Sequence, residues 1–179
     1  MKPKITPIDH EVSLEDDEFI VSKTDTRGLI TYVNRTFMRI SGFSEPELLG
    51  IQHNIIRHPD MPRGAFKLLW DTLKEGDEFF AYVKNLCKDG SYYWVFANIT
   101  PDYDSRGNLR GYYSVRRKPS REAVDTIIPV YEEMLRIEKN STTKEAMTHS
   151  IAYLTEQLSH AGVTYQDWML QLNSSEVER

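Results

Sequence analysis

The spacing of hydrophobic residues changes along the chain and separates predicted strands from predicted helices. Runs rich in β-branched and aromatic residues predict strands, whereas apolar residues three and four positions apart predict helices. Turn residues and glycines separate these segments. The predicted strands are Phe19–Thr24, Leu29–Val33, Phe79–Lys88, Tyr92–Thr100 and Leu109–Arg117, and three helices are predicted between the second and third strands, at 35–41, between Ser44 and Gly50, and at 63–74.

This order of elements predicts an α+β domain over residues 18–118. Five strands with helices inserted after the second favour an antiparallel sheet that carries its helices on one face. Residues 1–17 are polar, contain two prolines and end in an acidic cluster, so they are expected to form a flexible arm. Residues 119–179 are predicted to form a helical extension that serves dimerisation or partner contact.

The predicted extension contains three helices, from Ser120 to about Lys139, from about Thr143 to His160, and from Thr164 to Leu172. Pro129 lies inside the first and predicts a kink or a break. The second and third carry apolar stripes that must be buried. The sequence leaves open whether these stripes pack on the preceding domain or on a partner.

Composition restricts the classes of function. Of 179 residues only Cys87 is a cysteine, so no internal disulfide forms and a reducing cytoplasm is expected. The chain has no secretory signal pattern and no apolar run near the roughly 20 residues that cross a bilayer. A net charge of -5 argues against nucleic acid as the partner. The sequence patterns of hydrolases, phosphate-binding loops and zinc proteases are absent, so neither an enzyme nor a metal site is expected.

Arg57, His58 and Asp60 bring a guanidinium, an imidazole and a carboxylate together in a proline-containing loop between two predicted helices. This loop could line the mouth of a cavity above the sheet, where Arg57 offers planar donors to a phosphate, a carboxylate or a flavin carbonyl. The alternative is a surface ion pair between Arg57 and Asp60, with His58 an ordinary loop histidine.

Trp70 and Asn85 are candidates for contact with a planar ligand. Trp70 either fills the core or offers an aromatic face and an N–H donor. Strand alternation places Asn85 on the same face as Ala81 and Val83, where a buried amide must find a partner. That partner is either a heteroaromatic ring or a neighbouring main-chain group.

Several segments together resemble a PAS domain over roughly residues 19–118: the Asn34 helix start, the run 41–43, and the turn 88–90 before a Tyr-Trp strand. The run 53–62, His-Asn-Ile-Ile-Arg-His-Pro-Asp-Met-Pro, is more specific. With Ala65-Phe66, Trp70 and Val83-Lys84-Asn85, it resembles the flavin-binding PAS domain of the aerotaxis receptors.

The resemblance implies a bound FAD and assigns residues to it. Asn85 matches the strand asparagine that flavin-binding PAS domains direct at the isoalloxazine ring. Light-sensing relatives place a reactive cysteine in the stretch corresponding to 50–58, and this chain has none there. The remaining residues that match positions linked to FAD are Asn34, His53, Arg57, His58, Asp60, Phe66 and Trp70.

The resemblance further implies a redox sensor for aerotaxis or energy taxis. The chain would act as a stand-alone, cytoplasmic PAS protein, expected to form a homodimer and to signal to a membrane-bound chemotaxis receptor or through self-association. In this hypothesis a change in flavin redox state alters the group that Asn85 presents to the ring. The alternatives are a haem-binding PAS gas sensor and a ligand-free PAS interaction module.

Overall fold

The computed structural model describes residues 4–174. Within this range five strands form one antiparallel sheet in the order β2-β1-β5-β4-β3. The first and last strands in sequence order are therefore neighbours inside the sheet. The strands are β1 (Phe19–Asp25), β2 (Ile30–Val33), β3 (Phe79–Leu86), β4 (Tyr92–Tyr103) and β5 (Leu109–Arg117).

The predicted α+β arrangement is confirmed, with short helical elements on the inner face of the sheet. Asn34 begins the first helix by accepting a hydrogen bond from the backbone N–H of Phe37 at 3.1 Å, as expected for an N-cap asparagine. Glycines in the left-handed conformation end the first and last of these helices. The inner elements are α1 (Arg35–Ser41), α2 (Glu45–Leu48), a 3-10 turn (His53–Ile56) and α3 (Arg63–Glu75).

The C-terminal extension covers the opposite face of the sheet. Its three helices are α4 (Arg121–Asn140), α5 (Ala146–Ala161) and α6 (Tyr165–Ser174). Along β4 the side chains alternate between the two faces, because successive residues of a strand point to opposite sides. Tyr93 and Val95 join the inner core, and Trp94 and Phe96 join the core beneath the extension.

This packing answers the question that the apolar stripes left open. Leu154 of α5 and Met169 of α6 are fully buried in the core that also contains Trp94 and Phe96 of the sheet. Any partner must therefore contact other surfaces of the extension. Helix α4 also continues through Pro129, so the predicted break is absent. The proline lacks only the N–H that would bond one turn back, and buried side chains on both sides of it hold the helix in place.

The expectation of a free N-terminal arm differs from the structure for residues 4–17. The backbone N–H of Ile8 donates to the Gly90 carbonyl at 2.9 Å, and Val12 N–H donates to the Tyr92 carbonyl at 2.8 Å. Leu14 is 2% exposed within the inner core. Although the segment is mostly polar, its few apolar residues, Ile5, Val12 and Leu14, pack on the inner core and dock it on the β3–β4 hairpin. Residues 1–3 lie outside the described part.

Glu138 of α4 connects the extension to the first turn of α3. Its carboxylate accepts hydrogen bonds from the backbone N–H groups of Arg63 and Gly64, at 2.9 and 2.8 Å. It also accepts from the Ser150 hydroxyl at 2.9 Å. Pro62, at the N-cap position of α3, offers no side-chain acceptor. A carboxylate from another helix thus supplies the cap and brings negative charge to the helix N-terminus.

Replacing Glu138 by alanine should destabilise the fold by about 1–3 kcal/mol, because two helix N–H groups lose their acceptor and the Ser150 hydroxyl keeps only the Met147 carbonyl. Urea unfolding of the whole chain would measure the loss. The matched control is Glu132→Ala, an exposed position on the same helix. Equal stabilities for the two variants would contradict the capping role.

No helix within residues 4–174 combines the length and apolarity needed to cross a bilayer.

Candidate binding cavity

A cavity of about 210 Å³ lies between α3, the segment 52–57 and the inner face of the sheet. Strands β1, β3, β4 and β5 all contribute side chains to it. Its walls combine aliphatic and aromatic residues with a few polar groups, the usual composition of a small-molecule site. The lining residues used below are Ser22, Thr24, His53, Arg57, Phe66, Trp70, Val83, Asn85, Ala97, Ile99, Tyr112, Ser114 and Arg116.

Aromatic and aliphatic side chains form the apolar part of the cavity. Trp70 meets Tyr112 edge-to-face, with ring centroids 5.3 Å apart and planes at 77°. Val83 and Ile99 supply aliphatic surface from β3 and β4. Between them lies Ala97, whose small side chain leaves room on the sheet. This part of the site therefore offers aromatic and aliphatic surface to an apolar ligand.

Asn85 presents an unsatisfied polar group in the cavity. Its side chain is 4% exposed, and its Nδ2 has no hydrogen-bond partner among residues 4–174. An orphaned donor of this kind costs about 1–3 kcal/mol. The predicted alternation of β3 is correct here, because Asn85 and Val83 both line the cavity. A ligand that accepts a hydrogen bond would remove the cost.

Arg57 closes the cavity next to Asn85. Its backbone forms an isolated antiparallel bridge with Asn85, which fixes the loop to the edge of β3. The guanidinium lies 4.0 Å from the centre of the Phe66 ring and donates to the Met61 carbonyl at 3.2 Å. Arg57 thus holds a planar cation against Phe66 at the border of the cavity.

A second polar group, which the sequence analysis did not predict, lies at the β1–β5 side of the cavity. Arg116 is 3% exposed. Its Nη2 donates to His53 Nε2 at 3.0 Å and to the Ser22 hydroxyl, and its Nε donates to the Ser114 hydroxyl at 3.1 Å. Thr24 Oγ1, on the same side, has no partner among the described residues. The alternation of side chains along β5 could have indicated that Arg116 lines the cavity, since Arg116 shares its face of the strand with Ser114 and Tyr112.

His53 is held in its neutral form. Nε2 accepts from Arg116 and therefore carries no proton. Burial, together with the nearby Arg116 charge, lowers the pKa of His53 from 6.5 to about 3. Below pH 6.5 the unfolded chain binds a proton here that the folded chain does not bind until about pH 3. The contribution of neutral His53 to the stability of the fold is therefore complete above pH 6.5 and declines as the pH falls towards 3.

Lowering the pH from 6.5 to 5 should destabilise the protein through His53, by up to about 1.4 kcal/mol per pH unit. His53→Gln keeps an acceptor for Arg116 and removes the titration, so its stability should depend less on pH. Urea unfolding at several pH values would compare it with the wild type and with His160→Gln, a change at an exposed position. Identical slopes for all three proteins would refute this assignment.

Three of the eight predicted site residues do not line the cavity. Asn34 caps α1, and its side chain also bonds the backbone of Val21 and Phe19. His58 is buried, and its Nδ1 accepts from the Asp60 N–H at 3.1 Å. Asp60 is exposed and pairs with Lys84 at 2.7 Å. The pairing of Asp60 with Lys84 also replaces the Arg57–Asp60 ion pair considered from the sequence.

His58 contributes to the loop that carries Arg57. Burial, with a further contribution from the Lys84 charge, lowers the pKa of His58 to about 4. Its ring packs edge-on against Tyr92, with centroids 5.8 Å apart. This neutral, buried histidine stabilises the loop conformation between the 3-10 turn and α3.

Cys87 lies outside the cavity lining. Its thiol donates to the Ile40 carbonyl at 3.2 Å, and burial raises its pKa to about 11. A thiol with a raised pKa holds little thiolate at neutral pH and reacts slowly. The structure thus places no reactive cysteine at the candidate site.

A sequence model of the PAS fold matches residues 30–116. These residues run from β2 through the helices that enclose the cavity and reach Arg116 on β5. The chain belongs to the PAS family. Its PAS domain therefore includes nearly every group described at the cavity, whereas α4, α5 and α6 follow the matched region.

Curated relatives of this PAS chain are signalling proteins. The aerotaxis receptor of Escherichia coli is 41% identical over 121 residues, which cover 68% of this chain and 24% of that receptor. The nitrogen fixation regulatory protein of Klebsiella pneumoniae is 28% identical over 138 residues, covering 77% of this chain and 26% of the relative. The chain thus spans about a quarter of the length of these two relatives.

Solved structures support the PAS fold. The light-state structure of the blue-light photoreceptor Aureochrome1 LOV aligns with a TM-score of 0.55 and 21% identity, covering 64% of this chain and 90% of the other. A light-oxygen-voltage domain studied with a flavin analogue aligns with a TM-score of 0.54 and 24% identity, covering 64% and 86%. At these identities the likeness concerns the fold.

Proposed function

We propose that this PAS domain binds FAD in the cavity and reports the flavin's redox state in aerotaxis or energy taxis. The supporting observation is the buried, unpartnered Nδ2 of Asn85, which faces a cavity lined by aromatic, aliphatic and a few polar side chains. The cavity also gathers five of the eight residues that the resemblance connects with FAD: His53, Arg57, Phe66, Trp70 and Asn85. The 41% identity to a receptor named for aerotaxis supports the signalling role.

Different residues of the cavity would contact different parts of the cofactor. Asn85 would hydrogen-bond the polar edge of the ring, and Trp70 with Val83 would pack on its apolar surface. Arg57, already fixed to the edge of β3, would bind carbonyl or phosphate oxygens of the cofactor. When bound, a flavin supplies reversible uptake of two electrons. Side chains that enclose it exclude water and strengthen every polar contact.

The output of the sensor would pass through α3. This helix lines the cavity with Phe66 and Trp70, and its first turn is capped by Glu138 of α4. A shift of α3 in response to the ligand would therefore reach the extension directly, as two-state signalling requires. The partner we propose is a membrane-bound chemotaxis receptor, contacted by a homodimer in the cytoplasm.

The absorption spectrum of the purified protein tests the cofactor. Flavin bands in the visible, followed by release of a compound with the mass of FAD, are the expected result. Release of FMN would change the cofactor assignment, and a Soret band would favour a haem sensor. A colourless protein that binds no added FAD would favour the ligand-free interaction module.

A further inference from the structure

Arg116 is a buried cation without a buried anion. Among residues 4–174 no carboxylate oxygen lies within 4 Å of its guanidinium. Its three hydrogen-bond partners are the hydroxyls of Ser22 and Ser114 and the imidazole of His53. None of these carries a negative charge. The Nη1 group has no partner at all within the described residues.

The surroundings compensate this charge only partly. The guanidinium lies 5.0 Å from the centre of the Phe37 ring, a contact that offsets a fraction of the cost of removing a cation from water. His53 is neutral and accepts a hydrogen bond from Arg116, so it supplies no negative charge. Since the domain carries an unpaired charge at 3% exposure, a negatively charged ligand group beside Arg116 would be stabilised.

The register of the sheet separates Arg116 from Asn85. Arg116 pairs with Ala97 of β4, and Asn85 pairs with Tyr93 of the same strand. Four residues of strand correspond to about 13 Å. The cavity therefore has a neutral amide at one side and an unpaired cation at the other, with the apolar side chain of Val83, which pairs with Val95, between them.

We propose that Arg116 is an anion-binding residue of the cavity, and that it selects the negatively charged form of a ring ligand over the neutral form. The inference rests on the proposed flavin. Two electrons and one proton convert the neutral oxidised ring into an anion, and Arg116 binds that anion more tightly. Its charge thereby raises the midpoint potential at which the sensor responds.

The first test compares midpoint potentials of flavin-loaded proteins, titrated with dithionite, which supplies the electrons while solvent supplies the proton. Arg116→Gln should weaken binding of the reduced relative to the oxidised ring at least about tenfold, which lowers the midpoint potential by about 30 mV. Arg116→Lys retains the charge and should restore most of the difference. An unchanged or higher potential for Arg116→Gln would overturn the proposal.

Arg117→Gln is the matched control. Arg117 is exposed at the neighbouring position of β5, and its guanidinium lies over Phe96, which belongs to the core on the other face of the sheet. Its removal changes the net charge by the same amount and should leave the potential unchanged. Equal shifts for Arg116→Gln and Arg117→Gln would mean that net charge, and no specific site, sets the potential.

A measurement on flavin-free protein separates this inference from the proposed function. Without a ligand, Arg116→Gln removes an uncompensated buried charge and should keep or raise the melting temperature. Loss of folding, or a lower melting temperature, would show that the charge is structurally required and would contradict the inference. The wild type could fail to bind flavin while Arg116→Gln still melts at a higher temperature. That result would reject flavin as the ligand and would retain Arg116 as an anion-binding residue.

Discussion

Replacing Ala97 by leucine should weaken FAD binding at least about tenfold while the protein remains folded. Ala97 is 3% exposed and lines the cavity from the middle of β4. A larger side chain would occupy the space of the ring, and overfilling a packed site costs about 1–3 kcal/mol. In flavin-free protein the same leucine enters an open cavity, so stability should change by less than about 1.5 kcal/mol.

Asn98→Leu is the control for this substitution. Asn98 follows Ala97 on β4, and its side chain bonds Glu78 at 3.0 Å in an exposed position. The variant places the same leucine side chain on the opposite face of the sheet and should bind FAD as the wild type does. Fluorescence titration of flavin-free protein would measure both affinities. Normal binding by Ala97→Leu would place the flavin elsewhere.

Asn85→Asp should disconnect the signal from flavin redox state. An ionised carboxylate has no donor to replace Nδ2, and at 4% exposure it loses its hydration. We expect about tenfold weaker FAD binding, because a net loss near 1.4 kcal/mol is typical for a hydrogen bond in which one buried partner is changed. At saturating FAD, cells carrying the variant should no longer change swimming behaviour when flavin reduction changes.

The control for this prediction is Asn140→Asp, the same chemical change at the exposed end of α4. It should leave both FAD affinity and the behavioural response intact. Swimming assays in oxygen gradients, with flavin content measured in the same cells, would separate loss of cofactor from loss of signalling. A normal response by Asn85→Asp with bound FAD would exclude the amide as the redox-sensitive group.

Local rules predicted most of the PAS fold. Alternation placed Asn85 on the inner face of β3, and capping chemistry located the start of α1 at Asn34. These features depend on residues near one another in sequence, so a single chain reveals them. The docking of residues 4–17 was missed because its hydrogen bonds join Ile8 and Val12 to a hairpin about 80 residues away.

At the candidate site, too, contacts between segments distant in sequence could not be predicted. His53, Arg57, Phe66, Trp70 and Asn85 were named from the sequence and meet at one cavity. Arg116 was missed because its neighbours Ser22 and His53 come from two other segments, joined only by strand pairing and loop position.

Three other predicted site residues lie elsewhere. Asn34 bonds main-chain groups, His58 stabilises the loop, and Asp60 pairs with Lys84. Their chemistry fitted a binding site, but the sequence does not show that nearer partners already use it. Pairing between distant segments decides which polar groups remain available to a ligand.

The side-chain amide signal of Asn85 in a ¹H–¹⁵N NMR spectrum would show whether this amide contacts bound FAD. It would be assigned by its absence in Asn85→Asp and followed while FAD is added to flavin-free protein. This signal should shift in step with FAD binding, whereas the amide signal of Asn140 should stay in place. Saturable FAD binding with an unmoved Asn85 signal, or no binding at all, would show that Asn85 does not hold the flavin.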